Sequence, residues 1–420
     1  MSSPLLSRIA AEHAATLDAQ AVTPAARAHR HDALSSLMAR GLPTQRDENW
    51  RYANLRALEK TNFTPAAAAV GLGSAELPAI IAGFTRLVFI DGQFSPQLSS
   101  TLGAAGSATL TRLTGELPTN DQAFALLNEA FATDGVDIQV AASAPVDIEV
   151  LFYSASPTAA YPRLNVRVAP NARLRLIERH IGCVATPHFI NSVIRIDVGA
   201  GAAFHHFRLQ EAGVAATWTD TLRAVVAADA RYHQHLLQVG ALAARTTADI
   251  QLAGPAAQTR IDTVSLADGQ QVHDNMFVVE HQAAHTQTAE DFRGIAGGRA
   301  RIAFNGLIIV RDGARHADSA QSLKGLLAGS DAEIDLRPQL EIHTDEVRCS
   351  HGATTGKLDD TMLFYLLTRG IEREVAQRLL KWAFITDVVA RIDVPALRTH
   401  VQRSLASHMQ DAQSLEELLS

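Results

Sequence analysis

The sequence predicts a mainly β protein, with a right-handed parallel β-helix-like solenoid core flanked by N-terminal and C-terminal helical regions. Three observations lead there. From Leu87 the hydrophobic period changes from 3.6 residues to 2, and short apolar strands alternate with small-residue turns. A turn pattern then recurs: an apolar residue, two further residues, then Asn, Gly, Asp or Pro, then Ala. It occupies Val168–Ala172, Val198–Ala202, Val226–Ala230 and Leu252–Ala256, so its first residues fall 30, 28 and 26 positions apart. It returns at Val310–Ala314 and, more loosely, at Ala328–Ala332. A unit of this size recurring with drift belongs to stacked coils rather than to an antiparallel sandwich, the runner-up. Finally, helical spacing appears at both ends of the chain, where an open solenoid needs covering.

In chain order, residues 1–84 are expected to be helical and loop-linked. Thr23 and Pro24 open a helix through Ala33, Leu34, Leu37 and Met38, which Gly41 and Pro43 stop. Trp50 to Leu58 reads as a further short helix packing Trp50, Leu55 and Leu58, with Trp50 and Tyr52 as core anchors. Pro65 to Ala82 is a linker or weak helix rich in Ala, Gly and Pro. Residues 85–350 form the β-helix core, whose turns place a small residue at positive φ and tuck an Ala against the stack. Residues 351–420 form a C-terminal helical domain. Asp359 is the expected N-cap of its first helix. Ile371, Val375, Leu379, Ala383, Phe384 and Val388 make one apolar stripe, and Leu397, Val401 and Leu405 make another after Pro395.

Composition bounds the function. The chain of 420 residues is 47% hydrophobic and 19% charged, which suits a globular fold with a large core. A net charge of −7 argues against a nucleic-acid groove. The only cysteines are Cys183 and Cys349, so neither a disulfide framework nor a four-cysteine cluster site is available, and a reducing cytoplasm is expected. No apolar stretch is long enough to span a bilayer, and the start of the chain lacks a signal-peptide pattern. P-loop, G-x-S-x-G, H-E-x-x-H and dinucleotide motifs are absent. Gly294 to Gly298 is a glycine turn ahead of a strand rather than a phosphate cradle. No catalytic residue is therefore assigned, and the chain is not expected to be an enzyme.

The stretch Leu340 to Gly370 carries the candidate site. Its start alternates like a strand, so Cys349 and His351 share one face, a thiol and an imidazole that could both donate to a metal. Two ligands close no site alone, and the plainer reading is a small buried thiol beside a histidine. His233 and His235 share a strand face, and His281 and His285 are spaced for one helix face, each without a thiol or carboxylate at ligand spacing. A β-helical carbohydrate-active enzyme would need carboxylate pairs and stacking aromatics along one sheet. The aromatic share is only 5% and no such pair recurs.

Three ordered motifs resemble the SufB/SufD family of iron–sulfur cluster assembly proteins. They are GLPTQRDENWRYANL from Gly41, ADSAQSLKGLLAGSDAEIDLRPQLEI from Ala317, and DEVRCSHGATTGKLDDTMLFYLLTRGIEREVAQRLLKWAF from Asp345. The match is closer to the SufD branch. His351 is followed by Gly352 where SufB-like chains have Glu, and Ala317 stands where they place a cluster-bearing cysteine. The resemblance implies a SufB-like scaffold and a SufC-like ABC ATPase as partners, with the ATPase docked on helices at about 358–410. A homodimer stays open as an option for the isolated chain, and the net charge and short apolar stretches lead us to expect no nucleic-acid or membrane partner. His351, with Cys349, is then an interface half-site for a nascent iron–sulfur cluster shared with the partner, and no cofactor is bound stably by the chain alone. His316 would lie near that site. The alternative within the family is a SufB-type scaffold.

Overall fold

The computed structural model describes residues 4–19, 23–67, 70–102, 107–113, 117, 122–141 and 144–409. Two helices, α1 (Pro4–Ala19) and α2 (Pro24–Arg40), come first. The chain then enters the sheets with β1 (Thr85–Ile90), β2 (Gln93–Phe94) and β3 (Ala108–Arg112). A helix, α3 (Ala123–Phe131), precedes β4 (Val136–Val140), β5 (Val146–Ser154), β6 (Arg163–Val168) and β7 (Arg173–Gly182). Next are β8 (His188–Val198), β9 (Ala203–Glu211), β10 (Ala216–Val226), β11 (Arg231–Gln238), β12 (Ala243–Leu252) and β13 (Gln258–Ala267). The last strands are β14 (Val272–His281), β15 (Gln287–Ala296), β16 (Arg301–Val310), β17 (Asp318–Leu327), β18 (Glu333–Ile342) and β19 (Arg348–Lys357). Helices α4 (Asp360–Thr368), α5 (Arg373–Val389) and α6 (Pro395–His408) follow.

Odd strands from β5 to β19 stack in parallel, and β1 and β2 complete that sheet of ten. Even strands from β4 to β18 stack in parallel in a sheet of nine, with antiparallel β3 at its edge. The two sheets face each other across a continuous apolar lining, a parallel solenoid of about eight turns. The repeated turn explains the register. Val168, Val198, Val226 and Leu252 are consecutive partners in one inward column, all buried. His281, Val310 and Ile342 continue it.

Each corner along that column as far as Val310 turns through a residue at positive φ: Asn171, Gly201, Asp229, Ala256, His285 and His316. Ala172, Ala202 and Ala230 follow the first three and are fully buried. At the fourth corner the turn is one residue longer, so Ala256 takes the positive φ and Ala257 is the tucked residue. The looser match at Ala328–Ala332 belongs to the opposite corner, between β17 and β18.

The N-terminal region differs from expectation in one element. Trp50 to Leu58 is no single helix but two 3-10 turns, Glu48–Trp50 and Leu55–Lys60. Trp50 still anchors, stacked on Phe124 with the Arg245 guanidinium over its ring. Helix α3, inside the expected β region, packs on α2 and β8 through Phe124, Leu127 and Phe131. The C-terminal helices begin where Asp359 caps α4, accepting hydrogen bonds from the N–H groups of Thr361 and Met362. The α5 stripe is rotated from the expected one: Ala383 is exposed, and Ala376, Ile385, Val388 and Val389 are buried. With Leu397, Val401 and Leu405 of α6 they cover the outer face of the ten-stranded sheet at Phe207, Leu209, Val264 and Leu266. No helix among the described residues is long and apolar enough to cross a membrane.

Candidate functional site at the open end

The stretch expected as one strand edge is two strands in two sheets. β18 ends at Ile342, residues 343–347 turn the last corner, and β19 starts at Arg348. The corner is tied down by the His343 N–H to Val310 O (2.9 Å) and the His316 N–H to Glu346 O (2.6 Å). Among the described residues β18 pairs only with β16, and β19 only with β17. Both sheets therefore end here with a free ladder edge, while their other strands are paired on two sides or lie at the far end.

Register fixes which side chains look inward. Cys349, His351 and Ala353 sit beside Ser319, Gln321 and Leu323, all buried. Across the gap, Ile334, Leu336, Pro338, Leu340 and Ile342 continue the lining of Ile302, Phe304, Gly306, Ile308 and Val310. In β16 the large members of that lining are fully buried, whereas their counterparts in β18 are half-buried or exposed. The core thus runs to the last coil and stops without a lid.

Cys349 and His351 share the inward face, as the alternation requires, but differ in surroundings. Cys349 is half-buried and packs with Leu340 and Val347 against Ile308, Val310 and Ala317. His351 is exposed, and among the described residues it makes no hydrogen bond or ion pair. An added Cβ at Gly352 would meet nothing within 4 Å, so a second backbone can come close there. His316 is held at the corner, stacked on His285 (4.8 Å between ring centres) and 3.7 Å from Glu346.

His281 and His285 share no helix face. His281 ends β14 and is buried, bonded to the hydroxyls of Thr286 (2.8 Å) and Thr288 (2.9 Å), and burial lowers its pKa to about 4. His285 lies in the following corner. For His233 and His235 the stack supplies a carboxylate that sequence reasoning missed. Asp262 is the register partner of His235, and the three ligand atoms lie within 4.8 Å of one another. The Asp262 oxygens are committed, however, to His233 (2.7 Å), Arg260 (3.0 Å) and Arg391 (2.6 Å). Burial pushes this carboxyl up, but those donors overcome it and hold its pKa well below the usual range. Two guanidinium groups on one carboxylate disfavour a further cation, and the cluster fastens α5 to the solenoid. A second buried set, Glu178 with His206 (3.1 Å) and Arg208 (2.9 Å), is likewise internally paired, and Arg208 also reaches Asp220 (2.8 Å).

Residues 151–384 match the SufBD core domain of SUF system FeS cluster assembly proteins. The chain belongs to the SufBD family. It is 30% identical to the iron–sulfur cluster assembly protein SufD of Escherichia coli over 378 residues, covering 88% of this chain and 89% of that protein. It is 28% identical to an iron–sulfur cluster assembly SufBD family protein of Synechocystis over 407 residues, covering 89% and 88%. A shorter match of 136 residues, 29% identical, relates it to SufD of Bacillus subtilis and covers 32% and 31%. SufBD membership, of the SufD type, places the chain in iron–sulfur cluster assembly.

Proposed function

We propose that this chain is a non-catalytic assembly subunit that pairs its open coil with a SufB-like scaffold and offers His351, and secondarily Cys349, to a nascent iron–sulfur cluster across the seam. A SufC-like ATPase would dock on α4 and the adjoining part of α5, in the cytoplasm. The carrying observation is the unlidded end: two free strand edges, a half-exposed apolar lining and an unpartnered imidazole on one surface. Each large apolar side chain there would contribute up to about 1.5–3 kcal/mol on full burial, which favours a second coil as the cover. The ligand set is incomplete on one chain and becomes sensible only across a seam. A second copy could occupy the same end when the partner is missing.

A SufB-type scaffold is the second reading within the family. It is disfavoured because position 317 is a fully buried alanine rather than a thiol. A carbohydrate-active reading fares worse. Among the carboxylates outside the ten-stranded sheet, Asp147, Asp262 and Asp291 are tied to Arg175, Arg260 and Arg391, Glu149 is tied to Arg86 and Arg179, Glu211 lies against His400, and α5 lies over β13 and β15.

The test is cluster yield from co-expressed complexes. His351→Ala should keep the fold and the complex, since an exposed imidazole contributes little to stability, yet cut cluster yield severely. Cys349→Ala should have the milder effect. Wild-type yield from His351→Ala would reduce this strand to an assembly surface.

A further inference from the structure

Beneath His351, in the same inward column, lie two buried polar residues. Glu290, Gln321 and His351 are successive register partners on β15, β17 and β19. Glu290 is 2% exposed and Gln321 is 4% exposed. The Gln321 amide nitrogen donates to Glu290 Oε2 (2.6 Å) and to the carbonyl of Gly306 (3.0 Å). Both amide hydrogens are thereby used, and flipping the amide would set its oxygen against the Gly306 carbonyl. Its orientation is therefore fixed, and Oε1 is a buried acceptor with no partner among the described residues. Gly306, on the facing sheet, leaves the room: a Cβ there would lie 2.5 Å from Gln321 Nε2 and closer still to Glu290 Oε2. An apolar residue at 321 would suit the lining better, so a fixed, unpaired acceptor one rung below an exposed imidazole calls for a donor.

We propose that Gln321 is a positioning residue for His351: its Oε1 accepts one ring N–H of the imidazole, while Glu290 and Gly306 hold the amide in place. This rests on the half-site reading of His351. When the end is sealed, the hydrogen bond fixes the tautomer and ring direction, and the other ring nitrogen presents its lone pair to the seam. A metal-binding histidine is commonly oriented this way, and loss of such an outer partner costs about 10–100-fold in affinity or activity.

The experiment uses the full complex, co-expressed with its scaffold and ATPase partners, and measures iron and acid-labile sulfide per complex. Gln321→Met matches the side chain in length and removes the acceptor; cluster yield should fall about 10-fold or more, with co-purification unchanged and only a modest drop in melting temperature, because Glu290 and Gly306 lose their donor. In Gln321→Glu the new carboxyl is buried beside Glu290 and so stays protonated; its O–H can donate to the Gly306 carbonyl in place of the amide while the other oxygen keeps an acceptor at the same reach, and this variant should recover part of that loss. Gly306→Ala, which crowds the pair without touching His351, should lower the yield as Gln321→Met does, and it stands in if the methionine variant folds poorly. Wild-type yield from the methionine variant overturns the inference, as does equal loss in the methionine and glutamate variants. His351→Ala separates the two levels. If it abolishes the cluster while Gln321→Met does not, only the positioning role fails; if it leaves the cluster intact, the half-site reading fails.

Discussion

Among the described residues Glu290 faces no counter-charge inside the solenoid. Burial pushes its carboxyl up to about 7, with the Gln321 hydrogen bond opposing and Asp291 adding to the shift. The unfolded chain releases this proton near pH 4.3, so between there and about pH 7 the folded state holds one proton more. Stability should then fall as pH rises through that window, by at most about 1.4 kcal/mol per pH unit for this one group. Glu290→Gln removes the term. In urea titrations the midpoint of the variant should gain on wild type from about pH 5 to about pH 8; a constant difference across that range would contradict a buried neutral carboxyl. At the same scale, some partners could not be read from spacing. His235 and Asp262 meet because a coil of 27 residues separates their strands in register, and no short motif encodes that pairing. His281 and His285 misled for the opposite reason. Their separation of four residues mimics a helix face, yet a strand end and a corner place them.

Among the elements, α5 carries the best-defined junction. Arg391, just beyond its end, reaches Asp262 (2.6 Å) and Asp291 (2.8 Å), and Arg293 on β15 reaches Asp387 (2.9 Å). Arg391→Ala leaves Asp262 with Arg260 and His233. The cost should therefore be about 1–2 kcal/mol, below the roughly 3–5 kcal/mol of a buried charge left alone; an unmoved urea midpoint would show the clasp to be idle. Because α5 and α6 cover Leu209, Val264 and Leu266, deleting 358–420 would strip the sheet rather than detach a free module. The ATPase surface is better tested on α4, where Met362, Phe364 and Tyr365 are 58%, 67% and 56% exposed. Changing Met362 and Phe364 to Asp should abolish capture of the ATPase and leave melting unchanged; retained capture would move that interface elsewhere. The helices near the ends were legible from caps and stripes. Helix α3 was not, because it is a nine-residue insertion in a region whose period was already 2.

For the whole molecule, the repeat was the most legible feature. Val168, Val198, Val226 and Leu252 were spaced as a stack and are one, because each corner needs the same positive-φ residue followed by a small buried one. The last corner was hidden, since Leu340, Ile342 and the residues after them alternate as if the strand continued, and only stacking on Val310 and Ala317 turns the chain. That hidden corner matters, because it gives the open end two edges instead of one. Hydrogen exchange on β18 and β19 tests the central claim most directly. In the isolated chain, the N–H groups on the free side of each strand should exchange fast, while those bonded to β16 and β17 are protected. On forming the complex with the SufB-like scaffold, the fast set in both strands should become protected together, with the rest of the solenoid unchanged. A complex that forms while these amides still exchange as in the free chain would contradict the account.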